Sequence, residues 1–143
     1  VRFKEERGII YGTIEAVDQG LVHASHDISA GGLAISAAEM LLALHGESDL
    51  GLALDLSQLG EDLRDDVLLF SESSGMLLEC GEAELDKLRS VYKPFGLDVF
   101  VVGKTNSSSQ FTIVGRDGKE LCDISVDEMR QVWRGEFGLT IAS

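Results

Sequence analysis

One octet constrains this chain more than any other stretch: His26-Asp27-Ile28-Ser29-Ala30-Gly31-Gly32-Leu33. It stands between a short apolar–polar run, Leu21 to Ser25, and a long apolar run, Ala34 to Leu44, broken only by Ser36 and Glu39. The first run reads as a strand and the second as a buried helix, so the octet must turn the chain from one into the other. A turn of this composition has two uses. The first N–H groups of a helix lack intrahelical partners and the helix dipole favours anions, so a phosphate fits there. Adjacent glycines carry no Cβ, so a ligand or another backbone can come close. The second use is internal: Ser29 caps the helix and the glycines let it pack tightly. Local chemistry leaves both readings open.

Composition narrows the possibilities. A chain of 143 residues with 44% apolar content is expected to form one globular domain, residues 1–143. No apolar run approaches membrane-spanning length and no secretory signal is visible at the start, so no membrane partner is expected. The chain opens at Val1 rather than Met, as expected of a fragment or a processed product. Twelve basic residues face 25 acidic ones, a net charge of −13, which argues against nucleic acid as a partner. Cys80 and Cys122 lack metal-ligand spacing and any cue for nucleophilic activation, so free buried thiols in a reducing cytosol are expected.

Taken in order, residues Phe3 to Gln19 have helical spacing through Ile10, Ile14 and Val17, with Gly20 as the stop. Leu21 to Ser25 is a predicted strand, and the octet then leads into the apolar helix. Ser36 and Glu39 share one stripe of that helix with Gly32, read by default as its solvent edge. Residues 45–49 read as a loop, Leu50 to Leu56 as a strand, and Ser57 to Asp66 as a turn-rich segment with one short helical turn. Met76 to Cys80 reads as a strand, and Glu82 to Phe95 as an amphipathic helix ended by Pro94 and Gly96. Leu97 to Lys104 is a predicted strand. Gln110 to Gly115 and Lys119 to Ile124 form a hairpin around Asp117-Gly118. Ser125-Val126-Asp127-Glu128 reads as a capping box opening a helix from Met129 to Phe137, and Gly138 to Ser143 as a loose tail or a short edge. Leu85, Leu88, Tyr92, Met129, Val132 and Trp133 are expected to face inward, with His23 and His45 at surface or structural positions. Helices that interleave with strands, plus a hairpin, favour a mixed sheet with helices on its faces over a purely parallel one.

Two segments carry a family resemblance. His26 to Ala34, followed by Glu39-Met40, resembles the "His-Asp-x-Ser-Asp-Gly-Gly-Leu-Ala … Ala-Glu-Met" segment of phosphoribosylformylglycinamidine synthase. Leu69-Phe70-Ser71-Glu72-Ser73-Ser74-Gly75 resembles its "Leu-Phe-Ser-Glu-Ser-x-Gly" segment, and the spacing between the two also agrees. Similar turns occur in aminoimidazole ribonucleotide synthetase, hydrogenase-maturation carbamoyl dehydratase, thiamine-monophosphate kinase and selenophosphate synthetase. The combination favours the formylglycinamidine family, and the likeness runs from about Gly12 to Glu136.

The resemblance implies an α+β fold, a three-layer α/β/α arrangement with a mixed sheet, partly ferredoxin-like, of the aminoimidazole ribonucleotide synthetase C-terminal-domain type. It implies a C-terminal domain of a longer synthetase chain that makes the amidine from formylglycinamide ribonucleotide, ATP and glutamine-derived ammonia in purine synthesis. ATP and magnesium belong to the full enzyme, and none is expected to be held by this domain alone, which is expected to be inactive in isolation. The implied partners are the other domains of the synthetase chain and a glutaminase component, with a small accessory subunit left open; the implied location is cytoplasmic. His26, Asp27, Ser29, Gly31, Gly32 and Glu72 would line one wall of a substrate- or nucleotide-binding site shared between domains. No residue is assigned a catalytic or metal-binding role.

The residues agree with a subordinate role, because the chain has no P-loop and the octet has no Lys or Arg. A phosphoryl-transfer site needs cationic groups or metal to hold the spreading negative charge. The family usually has an acidic residue where this chain has Ala30, which favours an architectural role for the loop. The alternatives are a domain of a sister enzyme, of the aminoimidazole ribonucleotide synthetase or hydrogenase-maturation type, and a non-catalytic scaffold module.

Overall fold

A computed structural model describes residues 3–43, 49–59 and 63–135. The loop expected at 45–49 falls almost entirely outside the described residues, as do part of the turn-rich segment at 60–62 and the tail from 138 onward. The chain divides into two compact units, one of Val1–Met40 with Asp62–Val101 and one of Leu41–Glu61 with Val102–Ser143.

In the first unit, α1 spans Phe3–Asp18, as its spacing predicts, and Gly20 ends it with φ 66°. Its inward face is not the expected one. Gly8, Gly12 and Ala16 are buried, whereas Ile10, Ile14 and Val17 are exposed. Close approach decides this. A Cβ on Gly12 would lie 2.5 Å from the Tyr92 ring, and one on Gly8 would lie 2.9 Å from Phe95 Cβ. The small-residue face therefore lets α1 settle directly on α4 (Leu85–Tyr92) and the 3-10 turn that extends it, Lys93–Phe95. Glycine inside a helix costs about 1 kcal/mol against alanine, and burial of the Tyr92 ring offsets it. The Tyr92 hydroxyl also hydrogen-bonds Thr13 Oγ1 at 2.8 Å. Ala16, Leu21, Leu88 and Tyr92 form the core here, with Leu78, Val91, Leu97 and Val99 packed against it. Pro94 sits inside the terminal 3-10 turn, and Gly96, φ 69°, ends it.

Strand β1 is Ala24–Asp27, shifted towards the octet from its predicted place, and pairs antiparallel with β3, Met76–Glu79. His26 lies opposite Leu77 and Asp27 opposite Met76, so the first residues of the octet are strand rather than turn. Helix α2 is Gly32–Leu42. A further helix, α3 (Asp65–Phe70), stands where the sequence suggested little more than a turn. Its first-turn acids, Asp65 and Asp66, suit a helix N-terminus, and Leu69 is its buried anchor.

The second unit holds a four-stranded sheet in the order β4-β2-β5-β6: β2 Gly51–Asp55, β4 Gly103–Asn106, β5 Gln110–Val114 and β6 Glu120–Ser125. β2 and β5 are parallel and the other pairs antiparallel, which makes the sheet mixed and the class α+β, as expected. The predicted strand Leu97 to Lys104 is only partly realised. Residues 97–102 form no ladder; Leu97 and Val99 pack on the first unit's core instead, and pairing begins at Gly103. Gly118, φ 78°, turns the predicted hairpin. Leu54, Leu56, Phe111, Ile113 and Val126 are buried. Helix α5 is Val126–Trp133, and Ser125 Oγ caps it by accepting from the Glu128 N–H at 3.2 Å. Its inward residue is Val126. Val132 and Trp133 are exposed at 52% and 62%, contrary to expectation, and Met129 is half-buried. The Val126 N–H also donates to Ser109 O, and the Arg130 side chain is only 14% exposed, so the covered side of the helix runs from Val126 to Arg130 and leaves Val132 and Trp133 outside it. No helix among the described residues is long and apolar enough to cross a membrane.

Candidate functional site

The first unit brings the two sequence motifs together. The Gly31 N–H donates to Glu72 Oε1 at 3.1 Å, and the Ile28 N–H donates to Gly75 O at 3.0 Å. A Cβ on Gly32 would lie 2.6 Å from Leu69 O and 2.8 Å from the Phe70 backbone. Gly31 and Gly32 both have left-handed φ, 81° and 67°, a conformation that costs any residue with a Cβ about 1–2 kcal/mol. Left-handed backbone at both positions, with the Leu69–Phe70 backbone against Gly32 and the Ile35 side chain against Gly31, accounts for the glycine pair with no ligand needed to explain it.

Ser29 is not the cap. α2 begins at Gly32, so Gly31 flanks it; Ser29 is exposed and contributes its carbonyl, which accepts the Gly32 N–H at 3.0 Å. Asp27 and Ala30 are exposed as well. His26 is half-buried, with Nδ1 2.7 Å from Asp27 O. A carbonyl only accepts, so this bond places the proton on Nδ1. Nε2 faces Glu39 Oε2 at 3.4 Å, and Asp27 Oδ1 lies 3.7 Å from Nδ1. Sequence reasoning missed the His26–Glu39 pair; its one signal was an acid on an otherwise apolar helix. The stripe of Ser36 and Glu39 is not a solvent edge. Ser36 is fully buried, with no hydrogen-bond partner for its Oγ among the described residues, and the Glu39 side chain is mostly covered.

The electrostatics of this turn are acidic. A phosphate at a helix start would need free N–H donors and cations, whereas Glu72 already holds the Gly31 N–H, and Asp27 and Glu39 are the acids next to His26. Among the described residues no group of three or more His, Cys, Asp and Glu is placed to hold a metal ion. Cys80, just beyond β3, and Cys122, in β6, are free and half-buried. Burial pushes both thiols above the ordinary value, helped by Glu84 and Glu79 at one and by Asp123 and Glu120 at the other, so neither is an activated nucleophile.

The sequence model of the family described as "AIR synthase related protein, C-terminal domain" matches residues 2–116. The chain belongs to that family. Both motifs of the candidate site fall inside the matched range, and α5 falls outside it. Among curated relatives of this C-terminal domain, phosphoribosylformylglycinamidine synthase subunit PurL of Methanothrix thermoacetophila is 41% identical over 93% of the chain, and that of Moorella thermoacetica is 34% identical over 90%. The chain spans only 16% of the length of either relative. Thermotoga maritima PurL complexed with FGAR has the same fold, with a TM-score of 0.74 at 21% identity over 87% of this chain and 21% of that one.

Proposed function

We propose that the chain serves as a domain of an ATP-dependent carbon–nitrogen ligase of the phosphoribosylformylglycinamidine synthase type, making the amidine from formylglycinamide ribonucleotide and glutamine-derived ammonia, and that it is inactive alone. The observation that carries this reading is the seating of the Leu69 to Gly75 motif on the octet through Glu72 and Gly32, in a chain 41% identical to a PurL subunit. The loop offers a nucleotide phosphate little, because the Gly31 N–H is taken by Glu72, and among the described residues no group of three or more acids, imidazoles or thiols is placed to hold a metal ion. ATP and magnesium therefore belong to other parts of a longer synthetase. Gly31, Gly32 and Glu72 brace the wall from within, and the exposed edge of Asp27, Ser29 and Ala30, with His26 behind it, lines the shared site. The partners are the remaining synthetase domains, a glutaminase component and a small accessory subunit, in the cytoplasm; a structure of the Thermotoga maritima PurLQS assembly is consistent with such a complex.

The test is phosphate release from ATP with formylglycinamide ribonucleotide and ammonia. The chain alone should give none, and adding the remaining domains of a PurL relative in trans should give turnover that requires both. Turnover by the 143 residues alone would overturn the shared-site reading.

A further inference from the structure

Helix α1 has two apolar seams, of which only one is used within its unit. The small seam, Gly8, Gly12 and Ala16, packs on α4. On the opposite side Phe3, Ile10, Ile14 and Val17 are 76%, 58%, 51% and 52% exposed, with Tyr11 beside them at 49%. Positions 3, 7, 10, 14 and 17 follow the alternating four–three spacing of a coiled-coil seam. The residue at its second position, Arg7, lays its guanidinium over the Tyr11 ring, 5.2 Å from the ring centre. A groove between α1 and α4, lined by Arg7, Tyr11, Ile14, Val91, Pro94 and Phe95, runs alongside.

We infer that this stripe pairs with the same stripe of a second copy, α1 against α1 in antiparallel, in a two-fold symmetric dimer. The charges choose the partner and the direction. In the antiparallel register that sets Ile10 against the other copy's Ile14, Lys4 falls opposite Asp18 and Asp18 opposite Lys4, while Tyr11 meets its own symmetry mate. This flanking pair is attractive and is made twice, as an isologous interface requires. These flanking positions are those at which charge sets orientation in paired helices. The exposed apolar side chains amount to on the order of 500 Å² per copy, as large as the largest apolar patches of ordinary monomers and at the low end of weak specific interfaces. The dimer is therefore weak, with a dissociation constant in the micromolar range. This inference is independent of the proposed function.

Sedimentation equilibrium of the full 143-residue chain from about 1 to about 200 μM covers the expected transition. The native chain should pass from monomer to dimer. Ile14→Glu should stay monomeric across the range with an unchanged far-UV spectrum and melting temperature, because Ile14 lies outside the core. Lys4→Glu and Asp18→Lys should each weaken the dimer roughly 3- to 10-fold, and the double variant should recover native affinity. The antiparallel pairing is overturned if the native chain is monomeric throughout, if Ile14→Glu still dimerises, or if the double variant fails to recover. A monomer whose α1 amides gain exchange protection only when other synthetase domains are added would give the stripe to those domains and also overturn it.

Discussion

Replacing Gly32 by alanine tests whether the glycine pair exists for packing. Two costs add at this position. Left-handed backbone with a Cβ costs about 1–2 kcal/mol. The new methyl would also lie 2.6 Å from Leu69 O and 2.8 Å from the Phe70 backbone. Those are main-chain atoms at the end of α3, so no side chain can swing aside, and forcing a methyl into a filled space costs about 1–3 kcal/mol. The sum, about 2–5 kcal/mol, lowers the melting temperature by about 6–15 °C for a chain of this size. Gly20→Ala isolates the backbone cost. Its φ is 66°, nearly the same, and nothing lies within 4 Å of the new methyl, so a loss of about 3–6 °C is expected. Gly31→Ala should cost more than Gly20→Ala, because its methyl would meet the Ile35 side chain, including its Cβ at 2.8 Å, which no rotamer change moves. Calorimetry of the three variants, with far-UV spectra to verify the fold, gives the order directly. If Gly32→Ala is no more damaging than Gly20→Ala, the close approach to α3 is not what requires glycine, and the reading of the octet as an internal brace fails.

Other outcomes follow from single groups. Ser36→Ala should be neutral or raise stability by about 1 kcal/mol, since it removes a buried hydroxyl without a partner; a loss of more than about 1 kcal/mol in urea unfolding would mean that the hydroxyl is bonded. Ala30→Asp, which introduces the family's usual acid at an exposed position, should change stability by less than about 0.5 kcal/mol, and a large fall in melting temperature would show that the position is packed. Asp55 caps a 3-10 turn by accepting from the Ser57 N–H at 2.9 Å, and bonds from the Ser57 backbone and side chain hold its carboxyl below the ordinary value. A depressed folded value contributes stability above the unfolded value, and that stability is lost as pH falls through the folded one. Asp55→Ala should therefore flatten the acid limb of a stability–pH curve; an unchanged limb would contradict the assignment.

What could be read in the sequence depended on whether local chemistry or close approach decided the outcome. Asp117-Gly118 turned its hairpin and Ser125 capped its helix because each needs only its immediate neighbours. Helix α1 was placed correctly along the chain but with the wrong face inward. Hydrophobic periodicity assigns the large apolar side to the core, yet here the ring of Tyr92 fills the space that the glycines leave, and spacing alone carries no trace of a partner 80 residues away. Trp133 and Val132 failed for the opposite reason: a helix of eight residues held by Val126 keeps little control over its last turn. Helix α3 escaped because its apolar run, Val67 to Phe70, is too short for periodicity to separate helix from strand.

The candidate site shows the same division. The two motifs stand out in the sequence and the structure brings them into contact, but what each residue does there could not be read from the sequence. Glycines beside a helix start look the same in sequence whether they admit a phosphate or another stretch of backbone. The distinction lies in Glu72, 41 residues from the N–H it holds. A carboxylate that accepts this bond occupies the position a phosphate oxygen would take, and it brings its own negative charge to the place where the helix dipole favours an anion. An anionic ligand at that N–H would have to displace Glu72. In the proposed shared site, a nucleotide phosphate would therefore draw its cations and N–H donors from the facing domain, and this chain would contribute the exposed edge from Asp27 to Ala30.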